Sequence, residues 1–335
     1  MMKLSLMNRF MGTVDQEYRS PVADAIAAPW GCDPGSVYFW RASANFVCVA
    51  TIGGARHFLR FNEIGERAPE LIRDEVAILN HLLERGTSVN VPVLSRTGNW
   101  VEVLTTELGT FAAVMFRALP GKELEFEDAG GDEFERWGTA LGRLHREVKS
   151  LPPGFAPHRP SWEDILAFAG ERIGQDETEL RRELDDVRSA LAALPQSPDN
   201  CGLIHFDFES DNLCWEGDTI AALDFDDCAR LWYAADIVYA LRDLFKGGPV
   251  DLAEPRLARF LAGYRRETAL DEAMLANLPL FVRLHRLFFI GRLRRSVDIV
   301  DRTAVPEWLA KIADKLSGAV AQYVDDIRNG AVCVR

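Results

Sequence analysis

The chain is short of basic residues. It has 38 lysine and arginine residues against 51 aspartate and glutamate residues, which gives a formal net charge of −13 and an isoelectric point of about 5.0. Nucleic acids and anionic membranes bind proteins through a basic face. We therefore expect no nucleic-acid partner and no membrane partner. The acidic excess itself fits either a cationic substrate or simple solubility.

The sequence also lacks a paired cysteine framework. Its six cysteines form no C-x-x-C motif and show no disulfide-like spacing. Reduced thiols in a cytoplasmic protein are therefore the expected state. The six residues are Cys32, Cys48, Cys201, Cys214, Cys228 and Cys333.

No apolar stretch is both long and free of charge. Asn8 and Arg9 interrupt the apolar residues near the start, so we expect no signal peptide there. The most apolar later stretch, residues 278–293, contains several arginines, among them Arg283 and Arg286. Its pattern predicts a buried amphipathic helix and not a membrane span.

The first third of the chain is rich in strand patterns and has no internal repeat. Alternating aromatic and β-branched residues predict strands at residues 37–48, 55–61, 91–94, 100–104 and 110–116. The Gly53-Gly54 pair between the first two strands indicates a hairpin. Helical periodicity predicts helices at residues 14–29 and 66–85.

Beyond Pro120-Gly121 the patterns become mostly helical. Helices are predicted at residues 133–148, 162–174, 177–193, 233–245, 255–267, 271–297 and 306–328, with short strands near 203–205, 213–215 and 220–223. This order predicts an α+β protein with two lobes, a β-rich lobe at residues 1–116 and a helical lobe at residues 122–335. A linker at residues 117–121 connects them, and a ligand is expected between the lobes.

One segment carries the chemistry. His205, Asp207 and Asn212 form the pattern H-x-D-x-x-x-x-N, and Asp224 follows the apolar run 220–223. Phosphoryl transfer needs a carboxylate to orient and deprotonate the attacking hydroxyl, and oxygen ligands to hold Mg²⁺ against the ATP phosphates. Asp207 suits the first role. Asn212 and Asp224 suit the second, because Mg²⁺ prefers oxygen ligands.

With this motif in its context, residues 35–300 resemble the aminoglycoside phosphotransferase and choline kinase superfamily, which has the protein-kinase-like fold. The sequence Leu-Gly-Arg-Leu-His at 141–145 resembles a helix of that family, and Gly-Tyr-Arg at 263–265 resembles another. The resemblance implies that Asp236 and His205 support the catalytic loop. Phe206 stands where the family usually has a small residue. His145 is interpreted as a packing histidine.

The resemblance also implies a nucleotide site in the β-rich lobe. Arg60 stands where a lysine usually meets the ATP phosphates, and Glu75 matches the carboxylate that pairs with that cation. The phosphate-covering turn is Ala42-Ser43-Ala44-Asn45, which has no glycine, and Ser43 and Asn45 are its expected nucleotide contacts. Adenine is expected to meet backbone groups of Arg117 and Leu119 in the linker, with Phe116 at the back of the pocket.

The function predicted is ATP- and Mg²⁺-dependent phosphorylation of a hydroxyl on a small molecule. Glu209 and Asp211 are candidate acceptor contacts. Asp226 and Asp227 fit either a second Mg²⁺ or a loop cap. The acidic run at 123–135 fits either a solvated face or a contact to a cationic acceptor. The basic cluster at 283–295 fits either a contact to an anionic acceptor group or pairing with an acidic neighbouring helix.

Several alternatives stay open at this point. The acceptor is an aminoglycoside or other amino sugar, choline, homoserine, a thioribose sugar, a similar metabolite, or a protein. Arg60 and the glycine-free turn also fit a non-catalytic pseudokinase. The sequence does not choose between ATP and GTP or between antibiotic resistance and metabolism, and it leaves the oligomeric state undetermined.

Overall fold

The computed structural model describes residues 1–245 and 250–329, so Cys333 lies outside the described residues. The chain forms two compact units. The first contains Met1–His81, Asn90–Leu119 and Leu293–Gly318, and the second contains Leu82–Val89, Pro120–Arg292 and Ala319 onwards. Within the described ranges, no helix has the length and apolar character needed to cross a membrane. The predicted lobe boundaries at 116, 121 and 335 stay a prediction.

The first unit is built on an antiparallel sheet. Its strands are β1 (Tyr38–Ala42), β2 (Phe46–Ile52), β3 (Ala55–Glu63), β4 (Pro92–Val93), β5 (Glu102–Thr106) and β6 (Gly109–Arg117). They run in the order β1-β2-β3-β6-β4, with β5 also paired to β6. The predicted hairpin is confirmed, because Gly53 and Gly54 connect β2 to β3 with φ of +58° and +80°. The helices are α1 (Leu4–Met11), α2 (Pro21–Ala27) and α3 (Pro69–Glu84).

The prediction of one helix at residues 14–29 is wrong. Asp15 Oδ1 accepts hydrogen bonds from the backbone N–H groups of Glu17 and Arg19, both at 2.8 Å, which folds this part into a turn. Helix α2 then begins after Ser20, whose hydroxyl accepts from Ala23 N. The helix that the sequence did not reveal is α1, whose Phe10 is fully buried with its ring centroid 4.3 Å from that of Phe46.

The second unit is mainly helical. Its elements are α4 (Gly131–Val148), α5 (Trp162–Gly170), α6 (Thr178–Ala192), β7 (Cys201–Ile204), β8 (Leu213–Glu216), β9 (Thr219–Ala222), β10 (Ala229–Trp232), α7 (Tyr233–Ala240), α8 (Pro255–Glu267) and α9 (Glu272–Leu275). Helices α10 (Leu278–Ser296) and α11 (Glu307–Arg328) have residues in both units. A strand-rich first unit and a helical second unit confirm the α+β prediction.

Two details of the second unit differ from the prediction. The helix expected at 271–297 is two helices, because Pro279 has no N–H to donate and therefore belongs at a helix start, where α10 places it. Strand β10 was not predicted. It pairs antiparallel with β7, and its Ala229 lies opposite Ile204. Ile204 is the residue directly before the catalytic motif.

Helices α4 and α8 cross with their backbones in close approach. A Cβ added to Gly138 would lie 1.9 Å from the carbonyl oxygen of Phe260, and one added to Gly263 would lie 1.8 Å from that of Glu135. Backbone atoms cannot move aside as a flexible side chain can. The crossing therefore depends on glycine in both helices.

We predict that Gly263→Ala destabilises the protein by on the order of 3 kcal/mol, because overpacking forces the two helices apart. The measurement is the midpoint of chemical unfolding. Gly318→Ala is the matched control, since Gly318 lies in α11 and a Cβ there would meet nothing within 4 Å. The control should be neutral or stabilising by up to about 1 kcal/mol. Equal midpoints for the two variants would contradict the close crossing.

Candidate active site

Asp236 holds the start of the catalytic loop. This loop, residues 205–212, follows β7, and Asp236 lies in the first turn of α7. Its Oδ2 accepts from the backbone N–H of His205 and its Oδ1 from that of Phe206, both at 2.8 Å. The carboxylate is fully buried. The structure thus places Asp236 against the loop backbone, as the resemblance implies.

His145 completes the environment of Asp236. Its Nε2–H donates to Asp236 Oδ2 at 2.9 Å, and its Nδ1 accepts from the Tyr264 hydroxyl at 2.7 Å. Burial lowers the pKa of His145 more than Asp236 raises it, so the imidazole is neutral at pH 7. Both ring nitrogens have partners, which confirms the packing interpretation. The buried Asp236 charge is compensated by three donors.

Phe206 has an unusual backbone. Its φ is +74°, in the left-handed region that bulky residues rarely adopt. This explains why a small residue suits the position. Here the aromatic side chain is buried instead, with its ring centroid 4.9 Å from Tyr239 and 5.3 Å from Phe288.

Asp207 and Asn212 are brought together by the loop. The Asn212 amide nitrogen donates to both Oδ2 and the backbone oxygen of Asp207, each at 2.9 Å. Because the nitrogen is used in this way, Oδ1 is the side-chain atom of Asn212 that could bind a metal ion. The Asp207 side chain is about a quarter exposed, at 27%. The predicted base and one predicted metal ligand therefore lie side by side.

The strand pair β8–β9 brings Asp224 to the same loop. Leu213 pairs with Ala222, and the backbone N–H of Leu223 donates to the Asn212 carbonyl at 2.8 Å. Asp224 comes next, with φ of +58°. His205 joins the two segments: its Nε2–H donates to the Leu223 carbonyl at 2.9 Å, and its Nδ1 accepts from Asp207 N. This is the position of a supporting residue.

Arg242 is the site residue that the sequence reasoning missed. Its Nη1 donates to Asp207 Oδ1 at 2.8 Å, and its Nη2 forms an ion pair with Glu209. Burial disfavours its charge, but Asp207 and Glu209 raise its pKa, so it stays protonated. It lies just after α7, six positions beyond Asp236. No local pattern marks it, because the contact spans 35 residues of sequence.

Glu209 lies in an environment rich in carboxylates. Burial, followed by the neighbouring charge of Asp207, raises the pKa of Glu209 to about 8, while Arg242 opposes the shift. Asp211 and Asp243 add further negative charge. Asp211 itself is exposed. Arg242 thus pairs with two carboxylates, Asp207 and Glu209, and the charges of Asp211 and Asp243 raise the pKa of Glu209 further.

The acidic pair after Asp224 has separate environments. Asp227 forms an ion pair with Arg292 on α10. Asp226 is buried, and its backbone oxygen accepts from Arg159 Nη1 at 2.7 Å. The basic cluster on α10 is also paired with carboxylates, since Arg283 makes two bonds to Glu183 on α6, at 2.7 and 2.8 Å. This favours the acidic-helix interpretation of that cluster.

In the first unit, Arg60 and Glu75 form a buried ion pair. Their side chains are 9% and 0% exposed. Arg60 lies on β3 opposite Val114 of β6, and its guanidinium lies 5.1 Å from the centre of the Phe116 ring. Glu75 Oε1 has no hydrogen-bond partner among the residues that the structure describes. Sheet pairing and α3 therefore bring together three of the residues predicted for the nucleotide, namely Arg60, Glu75 and Phe116.

The remaining predicted nucleotide contacts lie in the turn and the linker. Ser43 is exposed, whereas Asn45 is buried and its Oδ1 accepts from Asn62 Nδ2 at 3.1 Å. The backbone N–H of Arg117 donates to the Val91 carbonyl at 2.9 Å, so this group is already bonded within the unit. Leu119 is partly exposed two residues later.

The chain resembles known kinases over almost its whole length. It is 27% identical to an amicoumacin kinase of Bacillus subtilis (strain 168) over 315 residues, which cover 91% of this chain and 90% of that protein. It is 28% identical to a homoserine kinase of Bradyrhizobium sp. over 233 residues, 67% of each protein. These are proteins to which it is similar.

Solved structures show the same fold. An amicoumacin kinase in complex with AMP-PNP, Ca²⁺ and Ami superposes with a TM-score of 0.78 at 25% identity, and 96% of each chain is covered. A microcompartment-associated aminopropanol kinase superposes with a TM-score of 0.66 at 22% identity, covering 93% of this chain and 98% of the other. The predicted kinase-like fold is confirmed.

A protein-family model decides the classification. The model described as "Phosphotransferase enzyme family" matches residues 41–270, which include the whole catalytic loop, Asp224, Asp236 and the Arg60–Glu75 pair. The prediction of an ATP-dependent phosphotransferase that acts on a small molecule is thereby confirmed. The chain belongs to the phosphotransferase enzyme family.

Proposed function

We propose that this enzyme transfers the γ-phosphoryl group of ATP to a hydroxyl of a small amino alcohol, with Mg²⁺ as the metal ion. The observation that carries the acceptor class is the excess of carboxylates around Asp207. Asp207 and Glu209 share Arg242, and Asp211 and Asp243 add negative charge near Glu209. A protonated amine on the acceptor would pair with these carboxylates and would favour the ionised form of Glu209, whose pKa burial and Asp207 raise to about 8.

Asp207 acts as the group that orients the hydroxyl and accepts its proton. Arg242 donates to one of its oxygens and Asn212 to the other. Each carboxylate oxygen has a second lone pair, so the hydroxyl of the substrate can still donate a hydrogen bond to Asp207. Two fixed donors hold the carboxylate plane, and a held base needs less reorganisation when it takes the proton.

Asn212 and Asp224 would hold the metal ion. One amide oxygen and one carboxylate are the kind of hard ligands that Mg²⁺ prefers. The Asn212 amide nitrogen is engaged by Asp207, which supports the assignment of its oxygen to the metal. When bound, the metal neutralises charge on the transferred phosphate. An AMP-PNP complex with Ca²⁺ in a related kinase supports the use of a nucleotide and a divalent ion.

Arg60 neutralises nucleotide phosphate charge in place of lysine, and Glu75 holds it in position. The buried pair supports this assignment because its geometry is fixed by β3 and α3. Ser43 and Asn45 would cover the nucleotide, and Phe116, Arg117 and Leu119 would meet adenine. In this proposal residues 1–116 bind the nucleotide, 117–121 connect, and 122–335 carry catalysis and the acceptor site.

The names of the related proteins agree with an amino alcohol. Homoserine and aminopropanol, named for two of them, each carry an amine and a hydroxyl.

We also propose a reducing, cytoplasmic location. The described cysteines are free thiols, and burial raises the pKa of Cys48 to about 12.

The first prediction concerns the acceptor and the base. We expect phosphate transfer from labelled ATP to homoserine, 1-amino-2-propanol or amicoumacin, and none to 1,2-propanediol, which lacks the amine. Asp207→Asn should lower kcat by about 10²–10⁴-fold because the proton acceptor is lost, and leave nucleotide binding nearly unchanged because the residues assigned to the nucleotide are intact. The measurement is labelled product formation with Mg²⁺ present.

Asp185→Asn is the matched control, since Asp185 is an exposed carboxylate on α6. It should retain full turnover. If Asp207→Asn kept wild-type turnover, its role as the base would be wrong. Nucleotide binding with no transfer to any acceptor would favour a pseudokinase, and labelling of 1,2-propanediol as fast as the amines would refute the amino-alcohol class.

A second prediction separates a nucleotide role of Arg60 from an ordinary salt bridge. Arg60→Met leaves Glu75 buried without its cation, so it should destabilise the fold by about 3–5 kcal/mol and raise KM for ATP. The double variant Arg60→Met/Glu75→Leu removes both charges. It should recover most of the stability while KM for ATP stays high. Recovery of both quantities would show that the pair is purely structural.

A third prediction follows from Glu209. Its folded-state pKa of about 8 lies above its ordinary value of 4.5, so the folded state holds the proton more tightly than the unfolded chain. The stability associated with this proton is present below pH 4.5 and is lost as the pH rises toward 8. The free energy of unfolding of Glu209→Gln relative to that of the wild type should therefore increase as the pH rises across that range. Urea unfolding at several pH values measures this difference.

Glu216→Gln, at an exposed position on β8, is the control for this experiment. Its stability relative to the wild type should not change between pH 5 and pH 8. If the stability difference between Glu209→Gln and the wild type also stayed constant with pH, the pKa of Glu209 would lie near its ordinary value. That result would contradict the description of the loop as rich in carboxylates.

A further inference from the structure

The helical unit contains a cavity that the site described above does not use. It has a volume of about 330 Å³, and its walls are α4, residues 85–88 before β4, the β9 region and part of α8. None of the residues assigned above to the nucleotide, the metal or the acceptor lines it. Phe208 does line it, one position after Asp207 in the chain.

The cavity is lined by arginines. Arg136, Arg143 and Arg146 come from α4, where their spacing places them along one side of the helix. Arg85 directly follows α3, and Arg266 lies in the last turn of α8. Asp218 is the one acidic residue of the lining. The lining itself thus carries five positive charges and one negative charge. Each arginine also has a carboxylate partner outside the lining, and for Arg85 and Arg146 this partner is Glu147.

The carboxylates that pair with these arginines are mostly outside the cavity. Arg143 Nε donates to Glu267 at 2.9 Å, Arg136 Nη2 to Glu133 at 2.8 Å, and Arg266 pairs with Glu135. Those three glutamates do not line the cavity. A guanidinium has five N–H donors, and such a pair uses only part of them. The pairs therefore orient the arginines without closing off the lining.

The rest of the lining fits a small polyanion. Hydroxyl groups come from Thr87, Ser88 and Thr219, and apolar surface comes from Leu144 and Ile220. The volume is that of a small-molecule pocket and is too small for a nucleic-acid duplex. Arginine forks match phosphate oxygens in pairs, and several of them on a concave wall concentrate an anion-attracting field.

An ordinary solvated surface is the competing explanation. Arg143 and Arg266 are 57% and 65% exposed, and exposed ion pairs contribute little to stability. That explanation accounts for the pairs one by one. It does not account for five arginines around one cavity with a single carboxylate in the lining.

We propose that this cavity is a binding site for a phosphorylated small molecule, separate from the catalytic site. Its recognition is by arginine guanidinium groups and hydroxyls for the phosphate, with the apolar patch for the remainder of the ligand. This site does not depend on the identity of the acceptor or on the roles assigned to Asp207 and Arg60.

The test uses pyrophosphate as the probe and isothermal titration calorimetry as the measurement. Saturating AMP-PNP and Mg²⁺ are present throughout, so that the nucleotide site is filled. We expect saturable binding to the wild type that weakens as salt is added. The double variant Arg143→Gln/Arg266→Gln should bind at least about tenfold more weakly, since it loses two charge-assisted contacts.

Arg182→Gln/Arg188→Gln is the matched control, because it removes the same charge from exposed positions on α6. It should bind pyrophosphate within about twofold of the wild type. Thermal unfolding of each variant verifies that it is folded. No saturable binding by the wild type would overturn the proposal. So would an equal loss in both double variants, or undiminished binding in the cavity variant.

Discussion

The buried carboxylate of Asp236 is the interaction on which the catalytic loop depends. It accepts two backbone N–H groups from the loop and one ring N–H from His145. A buried charge without partners would be strongly destabilising, whereas one with three donors is stable and directional. Because the backbone N–H groups of residues 205 and 206 are fixed, Asp207 is held where Arg242 and Asn212 can reach it.

His145 depends in turn on the close crossing of α4 and α8. Tyr264 on α8 donates to His145 on α4, and the glycines at the crossing set the separation that this bond needs. Local packing and catalytic geometry are therefore connected through one chain of contacts. It runs from Tyr264 through His145 and Asp236 to the loop.

Much of this arrangement could be predicted from the sequence. The spacing of His205, Asp207 and Asn212 is local, and it became informative together with the apolar run before Asp224 and the strand-rich first part of the chain. The α+β order followed from periodicity, and Gly53-Gly54 marked its hairpin correctly. Errors arose where a short polar contact overrides periodicity, as at Asp15, or where proline starts a new helix, as at Pro279.

Arg242 and the arginine-lined cavity could not be read in the same way. Arg242 reaches Asp207 across 35 residues of sequence, and the cavity gathers side chains from between residues 85 and 266. Such groupings are products of tertiary packing, and no single segment contains their signal. The basic cluster on α10 shows the converse, since its charges form a local pattern but are paired with carboxylates of neighbouring elements.

The left-handed backbone at Phe206 gives one residue two separate structural tasks. A large side chain in that conformation carries a strain of about 1–3 kcal/mol, which packing against Tyr239 and Phe288 has to offset. Glycine would carry no strain but would leave a void among those rings. The backbone of the loop and the aromatic packing of the helical unit are therefore set at the same position, so that a change of side chain at residue 206 alters both at once.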